Sequence, residues 1–354
     1  MPLALQSVTM KNKRLTFLIT AITVACLNIT AFISAFGAAY VCDILGRRMS
    51  LRIGGLVYLV SAILQIVAPD LTCLIVGRSL QGVGVGILSM TVPIIQAEIA
   101  PGNHRGFFIS IEYICLNVGY ALSAWVGYAF YFAFPSDISW RGPYIVEAVM
   151  AVILVLWSFI IPETPRFLIA NGFLDDGLRV LADLHADGDT NDAGVRQTHQ
   201  EIVDTVSFES EMGTASWSQV FRQYSRRTVI GITCQVFAQF NGINAILYYL
   251  PENLLRAGFR VEKALLYAAG SSLLYCVGTV PTMYGIDRIG RRPFLITGSF
   301  GLAAALAVVG GLQFYVDSLP TGDVRMPGAN GIFAGTLELR QPSVPLKDMS
   351  LTRA

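Results

Sequence analysis

Apolar residues in this chain fall into eight long runs separated by polar stretches, and the runs set the architecture. They cover approximately 15–41, 53–68, 71–99, 107–133, 143–161, 228–250, 263–286 and 294–316. Most approach the roughly 20 residues that a helix needs to cross a hydrocarbon core of about 30 Å. Several are apolar on every side, so neither a solvent-facing stripe nor strand alternation accounts for them. The pattern predicts an all-α, polytopic membrane protein. A polar insertion, 162–227, separates the fifth run from the sixth. Within it, Leu174, Leu178, Leu181 and Leu184 recur at helical steps and predict a short amphipathic helix over 174–186 lying against the membrane face. A more acidic helix is expected over 195–213, and 317–354 reads as a disordered tail without periodicity. The expected domains are an N-terminal membrane bundle (1–161), a linker (162–227), a partial C-terminal bundle (228–316) and the tail.

Composition sharpens the class. With 54% hydrophobic and 14% charged residues and a mean hydropathy of +0.57, the chain carries more apolar surface than a soluble domain of this length buries. The 33 glycines are dispersed within the runs, as suits helices packing closely in lipid. Cys26, Cys42, Cys73, Cys115, Cys234 and Cys276 fall singly in or beside spans, in neither disulfide nor metal spacing. His104, His185 and His199 are scattered, and no nucleophile–base set or phosphate loop is present. No enzyme, metal or cofactor is expected, and no basic patch with interleaved aromatics points to nucleic acid.

One short phrase occurs twice between spans, as Asp43-Ile44-Leu45-Gly46-Arg47-Arg48 and as Asp287-Arg288-Ile289-Gly290-Arg291-Arg292. Six spans lie between the copies, which implies a parallel repeat of six helices with the phrase at the same place in each half. The second copy follows the second span after the linker, whereas the first follows only one span. The register is therefore helices two to nine of twelve, about 8 of 12 spans, with the chain shortened at both ends. Arginine placement agrees: Arg47, Arg48, Arg52, Arg105, the linker arginines, Arg288, Arg291 and Arg292 fall on one side, which is cytoplasmic by the positive-inside rule. Lys11, Lys13 and Arg14 then fall outside, a conflict that one more upstream helix removes.

The ordered motifs resemble the sugar-porter branch of the major facilitator superfamily, fungal proton-coupled members in particular. They are the two D-x-x-G-R-R turns; Gly77-Arg78-Ser79-Leu80-Gln81-Gly82 with Gly84 and Gly86; Pro93 through Glu98-Ile99-Ala100-Pro101 to Arg105-Gly106; Trp140-Arg141; Pro162-Glu163-Thr164-Pro165-Arg166; and Gln239-Phe240-Asn241-Gly242-Ile243-Asn244 leading to Tyr248-Tyr249. The resemblance implies a major facilitator fold that moves a sugar-like solute by alternating access, with a proton as coupling ion and the plasma membrane as location. Two other functions stand beside transport: a nutrient sensor that does not transport, and a truncated product without transport activity of its own.

Asp43, Arg47 and Arg48 sit at helix ends, where charge-assisted hydrogen bonds can cross to neighbouring helices, with Glu98, Arg105, Glu163 and Arg166 completing a network. The resemblance implies that this network, with Asp287, Arg291 and Arg292, latches the outward-open state. The plainer alternative is that loop arginines only enforce orientation. Gly82, Gly84 and Gly86 permit a neighbouring helix to approach. Arg78 lies within or at the edge of a span, where charge is costly and usually functional; snorkelling to the membrane edge is the alternative. In relatives the arginine at this position pairs with a carboxylate on the first helix, which leaves Arg78 without a visible partner in this sequence.

Gln235, Gln239, Asn241 and Asn244 bring amides into the sixth span, where they match sugar hydroxyls without burying charge, and Tyr248 and Tyr249 can stack on a ring. The resemblance places Gln239 and Asn244 on sugar-binding positions; interhelical polar bonding is the alternative for Gln235 and Asn241. The chain departs from the family at Ala238, at Glu112 and Tyr113 where a glutamine is common, and at Tyr275 where asparagine is common. Tyr113 is kept as a solute-contact candidate and Glu112 as an intramembrane charge. A polyol or another small metabolite fits these departures as well as a hexose.

Overall fold

The computed structural model describes residues 13–101, 105–212, 222, 225–240, 242–256 and 259–318. Everything regular in them is helical. In chain order the helices are α1 (Lys13–Leu45), α2 (Arg47–Val67), α3 (Leu71–Ile99), α4 (Arg105–Tyr131), α5 (Ile138–Ile160), α6 (Pro165–Ala170), α7 (Leu174–His185), α8 (Ala193–Met212), α9 (Ser225–Phe240), α10 (Ile243–Arg256), α11 (Val261–Ile289) and α12 (Arg291–Ser318). Seven are long and apolar enough to cross a membrane. The run at 228–250, expected as one span, is instead divided between α9 and α10. Gly242 separates them at φ +78°, a backbone region that side-chain-bearing residues rarely adopt.

The first compact unit comprises residues up to Arg105 together with Ala129–Met212. Its centre is α3, which packs against α1 on one flank and α2 on another. A Cβ at Gly82 would strike the Thr30 hydroxyl and the Leu27 carbonyl of α1, and one at Gly86 would strike Ser34 and Ala31. A Cβ on Gly84 would sit 2.9 Å from the Tyr58 backbone of α2. The three glycines therefore admit two neighbours, because i and i+4 share a helix face while i+2 turns away. Helix α5 packs against α2. Large apolar side chains remain bare on the outer faces, among them Phe32 and Phe36 of α1 and Leu156 and Trp157 of α5. Such surfaces suit hydrocarbon rather than water.

The linker helices belong to the same unit. Asp192 caps α8, its carboxylate accepting from the amides of Gly194 (2.8 Å) and Val195 (3.0 Å). The leucine stripe of α7 divides between two surroundings. Leu181 is buried with Ala182 and Val195, with Leu178 packed against them, whereas Leu174 and Leu184 stay exposed. His185, ending α7, meets the Ile99 carbonyl at the end of α3 at 3.1 Å.

The second unit joins residues 106–128 of α4 with the chain from Gly213 onward. Its small core gathers Leu250, Leu254, Phe259 and Ala264, where α10 folds back on α11. Helix α9 has no buried residue.

Candidate functional site

Two clusters in the first unit and one patch in the second hold the polar chemistry. The turn between α1 and α2 is one residue long. Gly46 makes it at φ 88° and ψ 166°, and Gly290 makes the matching turn between α11 and α12 at φ 93° and ψ 155°. This region is open essentially to glycine alone. The duplicated phrase is thus a duplicated backbone conformation.

Around the first turn, Arg47 turns inward. Its Nε donates to Glu98 Oε2 at 3.2 Å, its Nη2 to Glu98 Oε1 at 2.8 Å, and its Nη1 to the Cys42 carbonyl at 3.2 Å. Asp43 is 3.7 Å from Arg47 and mostly in solvent. Glu98 is therefore the main partner. Glu163 addresses the backbone, accepting from the amides of Arg47 at 2.9 Å and Arg48 at 3.1 Å. A carboxylate at the start of α2 satisfies amides that lack intrahelical partners and complements the helix dipole. Arg48 reaches the Phe159 carbonyl at 2.6 Å, at the end of α5. Arg166 pairs instead with Glu209 of α8, at 2.7 Å. A cavity of about 430 Å³ lies among Asp43, Arg47, Glu98, Arg166, Phe167 and Glu209. The side chains of Arg105, Asp287 and Arg291 lie outside the described residues, and Arg292 is exposed.

The second cluster is within the spans. Arg78 on α3 donates from Nη2 to the Tyr144 hydroxyl of α5 at 2.9 Å and from Nη1 to Gln81 Oε1 at 3.3 Å, with its guanidinium 5.2 Å from the Tyr144 ring centre. Gln81 Oε1 also accepts from Gln65 Nε2 at 3.2 Å, while Gln81 Nε2 donates to Glu147 of α5. Arg78, which had no visible partner in the sequence, belongs to a network across α2, α3 and α5. Glu147 was not singled out in the sequence. The signal was available, since it is the one carboxylate in an otherwise apolar span.

In the second unit Tyr113, half buried on α4, hydrogen-bonds Tyr275 of α11 hydroxyl to hydroxyl at 3.3 Å. Glu112 beside it is also half buried. Gln235 and Gln239 are exposed on α9. Asn241 and the side chains of Asn244, Tyr248 and Tyr249 lie outside the described residues, so the amide group expected on the sixth span is described only at its two glutamines.

This fold resembles solved transporters. A proton:xylose symporter, XylE, bound to 6-bromo-6-deoxy-D-glucose superposes with a TM-score of 0.77 at 24% identity, over 91% of this chain and 70% of that one. A partially occluded, inward-open form of XylE from E. coli gives 0.73, again at 24% identity, covering 91% and 70%. Among curated relatives, the MFS-type transporter criB of Aspergillus cristatus is 30% identical over 292 residues, 82% of this chain and 63% of that protein. The high-affinity glucose transporter of Kluyveromyces lactis is 30% identical over 299 residues, 84% and 53%. The sugar transport protein MST5 of Oryza sativa subsp. japonica is 32% identical over 304 residues, 82% and 55%. The chain thus spans between half and two thirds of the length of these relatives. Residues 4–334 match the Sugar (and other) transporter family. With the duplicated turns, the helical fold and the family match in agreement, the chain belongs to the sugar-porter family of the major facilitator superfamily.

Proposed function

We propose that the protein moves a sugar or polyol across a membrane by alternating access, with a proton as the coupling ion. The observation that carries this reading is the Arg78–Gln81–Glu147 chain inside the apolar spans. Ionisable groups at that depth are costly, and they mark ion or substrate pathways. The Gln81 amide faces both ways, its NH2 toward Glu147 and its oxygen toward Arg78. A proton arriving on Glu147 turns one of its two oxygens from acceptor to donor, and when that oxygen is the one facing Gln81 the amide rotates to meet it. Rotation withdraws the oxygen from Arg78 and Gln65 together. Protonation of one carboxylate thereby changes the bonding of three spans.

Relatives named for glucose and inositol transport support a polyhydroxylated solute. Gln235, Gln239, Asn241, Asn244, Tyr248, Tyr249 and Tyr113 are the proposed solute contacts, and Arg78 with Glu147 the proposed coupling groups. The Arg47–Glu98–Glu163 assembly, with Asp43, Arg48, Arg105, Arg166 and its Asp287, Arg291 and Arg292 counterpart, is the proposed cytoplasmic latch. The plasma membrane is the proposed location. The test is uptake of radiolabelled D-glucose, D-xylose and myo-inositol in cells lacking their own carriers. Uptake that rises with external acidity and collapses with a protonophore is expected. A correctly inserted protein that neither binds nor accumulates any of the three would sink the proposal.

A further inference from the structure

Helices α4 and α11 meet through aromatic and hydroxyl side chains. Tyr113, Asn117 and Tyr120 recur at four- and three-residue steps and so share a face of α4. Tyr275 and Thr279, one turn apart on α11, answer them. Besides the Tyr113–Tyr275 hydroxyl pair, the Tyr120 and Tyr275 rings meet edge to face with centroids 6.3 Å apart. Asn117 Nδ2 donates to Thr279 Oγ1 at 3.5 Å.

Two observations set this patch apart from ordinary helix packing. The three tyrosines are only half buried, so their rings keep open surface. Asn117, between them, is fully buried, yet among the described residues its Oδ1 accepts no hydrogen bond. A bare amide oxygen at that depth is a standing cost that a donor from outside the chain would remove.

The hydroxyls nearby are committed to their own helix. Ser271 donates to the Ala268 carbonyl at 2.7 Å, Ser272 to Ala269 at 2.6 Å, and Thr279 to Cys276 at 2.5 Å. Tyr113 and Tyr275 bond to each other. The patch therefore offers mainly ring faces, with the Asn117 amide oxygen as the buried acceptor in need of a donor. Sugar hydroxyls pressed against the ring faces would lose water without replacement, whereas an aromatic ring would stack there.

We propose that this patch is a subsite for a ring-shaped solute bearing an aromatic group and a hydrogen-bond donor, as an aryl glycoside does and a bare hexose does not. The donor goes to Asn117 Oδ1, and the aromatic group lies against Tyr113, Tyr120 and Tyr275. The assignment deepens the solute-carrier reading and rests on it.

The experiment is equilibrium binding of radiolabelled phenyl β-D-glucopyranoside and D-glucose to the full chain in lipid nanodiscs. The phenyl glucoside should bind about tenfold more tightly than glucose. Asn117→Leu and Tyr275→Ala should each weaken the phenyl glucoside about tenfold with little change for glucose, while Tyr275→Phe, which keeps the ring, stays within about threefold. Melting temperature checks the fold of each variant, and Tyr275→Phe serves where the alanine variant fails to fold. Equal affinity for the two ligands, or equal weakening of both by Asn117→Leu, overturns the subsite and leaves the carrier reading standing. If the folded chain binds neither these ligands, D-xylose nor myo-inositol, the carrier reading falls and takes the subsite with it.

Discussion

Arg47 and Glu98 form a two-armed ion pair across α2 and α3, with their side chains only 13% and 9% exposed. Removing one member of so enclosed a pair strands the other. Glu98→Gln should lower stability by about 3 kcal/mol, read as thermal unfolding in detergent. Arg47→Met with Glu98→Leu should recover part of that loss. Arg166→Ala, which breaks a pair 43% and 57% exposed, should cost under about 1 kcal/mol. Similar costs for Glu98→Gln and Arg166→Ala would contradict the difference in burial.

The two turn glycines share a conformation but not surroundings. A Cβ on Gly46 would lie 2.6 Å from Glu163 Oε2 and 2.9 Å from the Phe167 ring, while among the described residues one on Gly290 meets only Pro293 at 3.9 Å. Gly290→Ala should show the backbone strain alone, about 1–3 kcal/mol. Gly46→Ala adds displacement of the carboxylate that caps α2, so its melting temperature should fall further. Equal effects would show that the Glu163 contact contributes nothing.

Gly82 and Gly119 form another contrast. A Cβ on Gly82 collides with α1, and one on Gly119 meets nothing within 4 Å among the described residues. Gly82→Ala should cost about 1–3 kcal/mol through overpacking. Gly119→Ala should be neutral or slightly stabilising, because alanine is the better helix former. Loss of stability in Gly119→Ala matching that in Gly82→Ala would argue against the α1–α3 contact.

Substituting Glu147 tests the proton route. Glu147→Gln keeps the volume but cannot ionise, so solute-driven proton movement should fall by at least about tenfold while binding of the solute persists. Gln81→Leu, which cuts the link between Glu147 and Arg78, should do the same with both charged residues in place. Proton-linked uptake that survives both changes would remove this cluster from the mechanism.

The membrane class and the duplicated turn were legible because they rest on run length and on a repeated phrase, both local properties. The same holds for α7 and α8, which lie within two residues of their expected bounds. Partner choice was less legible. Asp43, Glu98 and Glu163 stood together in one expected network, but an i,i+4 neighbour at an exposed helix end competes with water, and Glu98, 51 residues away, meets Arg47 where water is scarce. Glu163 looked like one more charge in a network, yet it serves backbone amides that no side-chain pattern advertises. Gln81 lay inside a glycine motif and drew no separate notice, although it joins Arg78 to Glu147. The break at Gly242 was hidden because apolar stretches on both sides of Gln239–Asn244 together have the length of a single span.

A connection of one glycine between two spans has a consequence for how the chain is made. Leu45 ends α1 and Arg47 begins α2; Ile289 ends α11 and Arg291 begins α12. With no slack between them, the second helix of each pair has no loop with which to choose its own orientation. We propose that each pair enters the bilayer as a hairpin, with its arginines on the side of synthesis that the positive-inside rule expects. The duplicated turn thus settles the topology of four helices at two points during biosynthesis, before any contact between distant segments has formed.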